Sequence, residues 1–333
     1  TGVMLSRCKA IYFKHNDMAD LARKLDAVAA QDKKRGTSPA TQRRFVIVEG
    51  IYRNTGDIVP LKEVVELKDK HHCRLILDES FSFGVLGDSG RGVTEHFGVP
   101  MKQVDIVCGA LCASVGSVGG FCVGNEREVV NHQRLQGAGY VFSASAPPFV
   151  ARAATVGIQK LADDPKLAQA VRDNALQLWA GLESCEHLEV TSAPQSPVLH
   201  FRARAGLVAS GMTTGNERAV LEDVAERLQN EHGVFAVASK YMPHHLHKEA
   251  AKRRAGGATE LGPAEPGVSI RMCVSALHTD AQIKAAIEAV RMSTEAVFVE
   301  AFGKSSVMKK RKTSSARSVK KKRSKRAATP KRK

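Results

Sequence analysis

Aromatic residues are scarce in this chain of 333 residues, making up 5% of it with a single tryptophan. Proline is also sparse, at 12 residues, and together with the non-periodic glycines this excludes collagen-like and mucin-like chains. The seven scattered cysteines form no Cys-x-x-Cys pair, which favours reduced, buried thiols in a reducing compartment, Cys108 and Cys112 among them. Apolar residues still make up 43% of the chain, enough for a sizeable core, and the length predicts about two domains.

Acidic residues are absent from residues 304–333, which contain 15 lysines and arginines. The formal net charge of +16 therefore lies almost wholly in this stretch, because residues 1–303 carry 35 basic and 34 acidic side chains. We predict a disordered basic tail and a near-neutral body with no nucleic-acid partner. Contact of the tail with anionic lipid head groups, weakened by phosphorylation, is one alternative, and a nuclear role is another.

Charged side chains are also missing from residues 106–124, a run of 19 that is long enough to span a bilayer. Five glycines and two serines in this run favour two buried strands joined by a Gly/Ser loop over a membrane helix. The chain has no signal sequence at its start and begins with Thr1 in place of Met, so we expect a fragment or a processed product.

Short apolar strands alternate with helical segments in the first half of the chain. The pattern predicts strands over 11–13, 45–48 (buried) and 74–77, helices over 17–30 and 60–71, and a polar loop over 31–43. Such alternation is typical of a parallel sheet with helices on its faces, which binds ligands at the carboxyl ends of its strands. Asp78 lies at such an end.

The second half has a different pattern. It predicts long helices over 149–163 and 166–184, an amphipathic helix that ends at Gly233, and strands near 198–201, 234–237 and 269–274. A loop over 255–267 precedes the last strand, and a capping box from Thr279 to Gln282 opens the last helix. We therefore predict a large domain over 1–150, a smaller α+β domain over 151–303 and the tail over 304–333.

Three segments rich in Gly and Ser carry the candidate chemistry. They are DESFSFG at 78–84 with GDSGRG at 87–92, GSVGG at 116–120, and FSASAPP at 142–148. A carboxylate at a strand end suits a cationic ring nitrogen, and clustered Gly and Ser can approach a phosphate closely. Taken singly, each segment is more typical of an ordinary cap or turn.

Further blocks of sequence lie in order around these segments: FKHNDMADL at 13–21, VEGIYRNTG at 48–56, GRGVTEH at 90–96, HQRL at 132–135, SIR at 269–271 and ALHT at 276–279. Together they resemble the α-oxoamine synthases, fold-type I enzymes that use pyridoxal phosphate (PLP), and among these the serine palmitoyltransferases. The resemblance implies an α/β, aspartate aminotransferase-like fold with a mostly parallel sheet, flanking helices and a smaller C-terminal domain. It also implies that the N-terminal part of the large domain is missing.

The chain departs from the family pattern at two positions. Ala113 stands where the family has the lysine that forms the internal aldimine with PLP, and no lysine occurs between Gln103 and Gln159. Phe81 stands where the family has a histidine that contacts the cofactor. The resemblance therefore implies a chain without catalytic residues of its own.

The resemblance assigns roles to four other residues. Asp78 would face the pyridine nitrogen of PLP, and Ser143 and Ser145 would reach towards the cofactor phosphate in a partner subunit. Arg271 would hold the carboxylate of the substrate, a task that suits a guanidinium. An ordinary ion-pairing role for Arg271 remains open.

The implied partner is a Lys-bearing catalytic subunit that holds PLP covalently. The heterodimer would condense L-serine with palmitoyl-CoA to 3-ketosphinganine at the cytosolic face of the endoplasmic reticulum membrane. Two alternatives remain, a catalytically competent homodimer and a basic-tailed interaction protein that reuses the fold. His71, His72 and the group His244, His245 and His247 lack Cys or carboxylate partners at ligand spacing, so no metal site is predicted.

Overall fold

The computed structural model describes residues 2–38, 41–204, 214–239 and 267–302. The predicted tail, residues 255–266 of the predicted loop, and His244, His245 and His247 lie outside these ranges. The described residues form two four-stranded sheets with helices packed against them. In this part of the chain no helix is long and apolar enough to cross a membrane.

The first sheet has the strand order β1-β2-β3-β4. β1 (Phe45–Glu49), β2 (Arg74–Asp78) and β3 (Ile106–Ala110) are parallel, and β4 (Gly120–Gly124) runs antiparallel to β3. The uncharged run at 106–124 therefore forms the two predicted strands joined by a loop, but the predicted burial was wrong for β4, which contains no buried residue. β1 is buried on one face only, since Phe45 and Ile47 are 47% and 46% exposed, so the prediction of a buried strand was half wrong.

The helices of the first half follow the predicted alternation. They are α1 (Gly2–Leu5), α2 (Met18–Arg35), α3 (Leu61–Lys70) and α4 (Val93–Phe97). Asp17 caps α2 by accepting the backbone N–H of Asp20 at 2.9 Å, as expected for this residue type at a helix start. Gly36 ends α2 in the left-handed conformation, at φ 67°, so the helix extends well into the predicted loop over 31–43.

The predicted strand over 11–13 was wrong, because these residues have no strand conformation. An apolar run becomes a strand only when a neighbouring strand supplies its hydrogen bonds. Among the described residues no strand pairs with this segment, and Phe13 instead packs against the first core.

A series of helices links the two sheets. It comprises α5 (Arg127–Gln136), α6 (Ala138–Val141), α7 (Pro148–Asp163) and α8 (Lys166–Glu183). The last two confirm the predicted long helices. Arg172 of α8 donates hydrogen bonds of 2.6 Å to the carbonyls of both Val85 and Gly87, so α8 packs directly on the Gly-rich turn of the first half.

The second sheet is antiparallel and has the order β5-β6-β8-β7. Its strands are β5 (Leu188–Val190), β6 (Val198–Ala203), β7 (Val237–Ala238) and β8 (Ile270–Cys273), covered by α9 (Thr214–His232) and α10 (Asp280–Phe302). The predicted strand over 234–237 was largely wrong, because it overlaps β7 only at Val237 and residues 234–236 have no strand conformation. The capping box is confirmed, because the Thr279 N–H donates to Gln282 Oε1 at 2.9 Å.

Each sheet has its own buried core. Val46, Val48, Leu75 and Leu77 belong to the first, and the second includes Phe201 and Phe298. The second core draws its residues from 178–298, which lies within the predicted smaller domain. The predicted boundary at residue 150 itself stays a prediction.

The prediction of buried thiols was largely wrong. Only Cys73 and Cys185 are buried, whereas Cys8, Cys112, Cys122 and Cys273 are exposed. The composition of residues 106–124 suggested full burial, but no residue of β4 is buried, and its Phe121 is only half-buried against the first core.

Candidate functional site

The candidate site lies where the first two strands of the parallel sheet end. Glu49 closes β1, Asp78 closes β2, and the two residues are in register. Cys108 of β3 stands in register with Asp78 on its other side. Because residues in register on neighbouring strands point to the same face, these side chains form one row across the sheet.

Asp78 lies at the predicted strand end. Its Oδ1 accepts the backbone N–H of Ser80 at 2.8 Å, and the Ser80 hydroxyl accepts the Ala110 N–H at 2.9 Å. These two bonds fix the turn after β2 to the end of β3. Asp78 therefore presents its carboxylate from a turn that is held on both sides.

Glu79, the next residue, serves the turn itself. Its buried carboxylate accepts the Ser82 hydroxyl and the backbone N–H of Val93, the latter at 3.0 and 3.2 Å. Burial raises the pKa of Glu79, although these hydrogen bonds oppose the shift. A Cβ at Gly92 would lie 2.4 Å from Glu79 Oε2, so glycine is required where this turn meets the carboxylate.

The two departures from the family pattern occupy different surroundings. Phe81 is half-buried and packs against the first core, where its ring offers no hydrogen bond. Ala113 is exposed in the loop between β3 and β4. Hydrogen bonds from Ser114 Oγ to the Phe83 carbonyl, at 2.5 Å, and from the Ser117 N–H to the Leu111 carbonyl, at 2.8 Å, hold this loop in place. These hydrogen bonds hold the loop in one conformation, in which residue 113 presents only the methyl group of alanine.

The loop after β1 adds a second polar group to the site. Glu49 Oε2 accepts the backbone N–H of Arg53 at 3.1 Å, and burial raises the pKa of Glu49, with a further contribution from the charge of Asp78. Burial likewise raises the pKa of Tyr52 above its ordinary range. His15 packs edge-on against Tyr52, at 4.5 Å between ring centroids.

His200 joins the second sheet to this loop. Its Nε2 lies 3.0 Å from the Arg53 carbonyl, which can only accept, so Nε2 carries the hydrogen. Nδ1 then accepts the hydroxyl of Ser269 at 2.9 Å. His200 is 1% exposed, and this burial lowers its pKa, with the nearby Arg271 lowering it further. The neutral ring is therefore the form that the fold favours.

Arg271 stands beside His200 on the second sheet. The two residues are a cross-strand pair of β6 and β8 and so share a face, the face from which His200 reaches Arg53. Within the ranges that the structure describes, neither Arg53 nor Arg271 has a carboxylate within 4.0 Å. Arg271 can therefore accept an anionic partner from outside.

Ser143 and Ser145 are not brought to this row. Both are exposed, and the Ser143 hydroxyl donates to the Gly139 carbonyl one turn earlier. Their predicted contact with a partner's cofactor stays a prediction.

The sequence-based reasoning missed Glu49, Arg53 and His200. Glu49 carries the same signal as Asp78, an acidic residue at the end of a strand of the parallel sheet, and the strand-end rule applied to β1 finds it. No local signal marks His200, because its partner Arg53 lies 147 residues away in the sequence.

Comparison with known families settles the class of this fold. The sequence model described as "Aminotransferase class I and II" matches residues 1–290. The chain belongs to the aminotransferase class I and II family. The PLP-dependent transferase fold, with its mostly parallel first sheet, is thereby confirmed.

Within the aminotransferase class I and II family, the chain is similar to proteins of long-chain-base synthesis. It is 38% identical over 293 residues to "Long chain base biosynthesis protein 1b" of Oryza sativa subsp. japonica, covering 87% of this chain and 55% of that protein. It is 38% identical over 300 residues to "Serine palmitoyltransferase 1" of Dictyostelium discoideum, covering 89% and 58%. The chain thus spans little more than half the length of these curated relatives.

Solved structures give the same placement. A serine palmitoyltransferase from S. paucimobilis with a bound PLP–myriocin aldimine superposes with a TM-score of 0.67 at 28% identity, over 86% of this chain and 61% of that chain. An 8-amino-7-oxononanoate synthase from Francisella tularensis, with a TM-score of 0.65 at 20% identity, shares the fold.

The residues present fit PLP only in part. Asp78 ends a strand with its carboxylate held by one backbone N–H, an arrangement that suits a protonated ring nitrogen. Ala113 offers no amine and Phe81 no hydrogen bond, so covalent attachment at this position does not fit.

Proposed function

We propose that this chain is the non-catalytic subunit of a serine palmitoyltransferase. Ala113 carries the proposal, because an ordered, exposed loop presents a methyl group and no lysine occurs over 103–159. The likeness to long-chain-base and serine palmitoyltransferase proteins supports the choice of reaction. A Lys-bearing partner would condense L-serine with palmitoyl-CoA to 3-ketosphinganine, releasing CO₂ and CoA.

The proposed task of this chain is to position the cofactor and the substrate. PLP, held by the partner, supplies the electron sink for the condensation. Asp78 would offer its carboxylate to a cationic ring, and Arg271 would bind a carboxylate through two parallel N–H bonds. Ser143 and Ser145, exposed at the surface, would reach the cofactor phosphate of the partner.

The surface of this chain offers a matching interface. Several of the most exposed large apolar side chains lie close together in the sequence over 118–149, a stretch that we call the 118–149 surface. Its most exposed members are Val118, Leu135, Tyr140, Phe142 and Phe149, from 66% to 86% exposed. Exposed apolar residues concentrated in this way are typical of protein interfaces, and Ser143 and Ser145 lie among them.

We further propose that the assembly works at the cytosolic face of the endoplasmic reticulum membrane. The 15 basic residues over 304–333 support contact of this stretch with anionic lipid head groups at a membrane surface.

The decisive experiment compares this chain at full length, alone and co-expressed with the Lys-bearing subunit, for serine-dependent CoA release. Activity in the pair and none in either chain alone is the expected result. The matched control is the same pair with Ala113→Gly in this chain. It should keep its activity, because neither alanine nor glycine offers an amine at this position. Turnover by this chain alone, or a pair that is no more active than the Lys-bearing subunit, would overturn the proposal.

A further inference from the structure

The hairpin of β3 and β4 places two cysteines opposite each other beside the candidate site. Cys108 of β3 and Cys122 of β4 are partners in the antiparallel register. Directly opposed residues share a face of the sheet, so the two thiols lie on the same side. That side carries Asp78, which is in register with Cys108.

The hydrogen bonds of the hairpin decide how close the two cysteines are. The Leu111 N–H donates to the Gly119 carbonyl at 2.9 Å, which makes the next pair inward, Ala110 and Gly120, a non-hydrogen-bonded pair. Pairs alternate along an antiparallel ladder, and Cys108 and Cys122 lie two positions further on. They are therefore also a non-hydrogen-bonded pair.

Non-hydrogen-bonded pairs are the close ones. Their Cα atoms are about 4.5 Å apart, and their side chains approach more closely than at the alternate positions. A disulfide requires Cα atoms roughly 4.4–6.8 Å apart. The register thus meets the backbone requirement for a cross-strand disulfide without any movement of the strands.

The surroundings of the thiols support a defined order of reaction. Cys122 is exposed, whereas Cys108 is half-buried and its Sγ lies 3.7 Å from the Leu77 carbonyl. Burial, with further contributions from Asp78 and Cys122, raises the pKa of Cys108 to about 11. Cys122 is therefore the thiol that meets an oxidant from solution first.

We propose that Cys108 and Cys122 are a redox modification site, which forms a reversible disulfide when a peroxide oxidises this chain. The sulfur of Cys122 attacks one peroxide oxygen, the O–O bond breaks, and a sulfenic acid and one water result. The Cys108 thiol then attacks the sulfenic sulfur, and a second water leaves with its proton. Two thiols lose two hydrogens in total, and one peroxide becomes two waters.

The disulfide would close the segment 108–122 into a covalent ring. This ring contains Ala113 and the loop of the GSVGG motif, and it removes the thiol hydrogen next to Asp78. Cys112, which is also exposed, lies beyond the last residue of β3 and is the natural competitor. Cys122 lies within the 118–149 surface, so the inference concerns the unpaired chain, in which this thiol is exposed, and it does not depend on the proposed function.

Peptide mapping tests the inference on the full-length protein. Trypsin cuts after Lys102 and Arg127, and chymotrypsin cuts after Leu111 and Phe121, so the three cysteines fall in the separate peptides 103–111, 112–121 and 122–127. After hydrogen peroxide treatment and alkylation, we expect 103–111 linked to 122–127, with Cys112 alkylated. Dithiothreitol should restore both thiols.

Matched variants sharpen the test. Cys112→Ser should keep the link, whereas Cys122→Ser should abolish it and leave Cys108 alkylated. Should Cys122→Ser fail to fold, the wild-type map together with Cys112→Ser still decides. Links through Cys112 as the main product, sulfinic or sulfonic acids in place of a link, or three unlinked thiols would each overturn the inference.

Discussion

The second sheet and the β4–α6 region are built by the same chain with opposite degrees of burial. All residues of β6 except Arg202 are buried, whereas β4 and α5 contain no buried residue. Both regions carry large apolar side chains, although α5 is mostly polar, and those side chains have different surroundings. Most apolar side chains of the second sheet are covered by other described residues, while the large apolar side chains of the 118–149 surface are exposed to solvent.

Truncating Phe201 should have the largest effect on the free energy of unfolding, because this side chain lies in the buried second core. Its ring is fully buried in the second core. Phe201→Ala should lower the free energy of unfolding by about 3–5 kcal/mol, since it loses transfer energy and leaves a cavity. Urea unfolding followed by circular dichroism measures this. A loss below about 1 kcal/mol would mean that the second core is not close-packed.

Phe142→Ser should have the opposite effects, leaving stability almost unchanged and weakening the pairing with the Lys-bearing subunit. Phe142 is 86% exposed, so stability of the isolated chain should change by less than about 0.5 kcal/mol. Pairing with the Lys-bearing subunit should weaken about tenfold or more, as for a truncated interface anchor. Phe235, which is 73% exposed but outside the 118–149 surface, provides the control. Equal effects of Phe142→Ser and Phe235→Ser on co-purification would contradict the proposed interface.

His200, at the junction between the two sheets, should make the free energy of unfolding depend on pH. Its pKa is lowered in the folded state from the ordinary 6.5, so the unfolded chain binds more protons below that pH. The stability that neutral His200 contributes is full above pH 6.5 and is lost as the pH falls through this value, by at most about 1.4 kcal/mol per pH unit.

His200→Gln should flatten this part of the stability profile. Burial also lowers the pKa of His96, so His96→Gln is the necessary comparison. Denaturant midpoints measured from pH 7.5 to pH 5 would show the difference. An unchanged slope in His200→Gln would show that the ring does not titrate with folding.

Thr279→Ala should have the smallest effect. Its hydroxyl caps α10 by accepting the Gln282 N–H at 3.3 Å, and loss of such a cap typically costs about 1 kcal/mol. Thermal unfolding would register this as a small downward shift. Thr279→Ser, which keeps the hydroxyl, should remain close to the parent chain.

The features that the sequence predicted correctly are local ones. Apolar alternation located β1, β2 and the two strands within 106–124, and Gly233 marked the end of α9 through its left-handed φ of 64°. The errors concern distant neighbours. Whether residues 11–13 pair, or whether the outer face of β1 is covered, depends on chain far away in the sequence.

The candidate site shows the same division. Asp78 and Ala113 were located from motif and spacing, because each lies within a short ordered block. The bond from His200 to Arg53 and the opposition of Cys108 and Cys122 depend on how sheets and strands meet. Composition even pointed the wrong way for the cysteines, since an uncharged run does not show which faces are covered.

Arg172 has a consequence for how the chain reaches its final shape. The carbonyls of Val85 and Gly87 in the Gly-rich turn accept hydrogen bonds from the Arg172 guanidinium, which lies beyond residue 150 in the sequence. During synthesis the turn is made first and must wait for α8 before these oxygens have their donor. The Gly-rich turn of the first half therefore depends on a side chain of the second half. In residues 1–150 produced alone, the Val85 and Gly87 carbonyls would lack this donor.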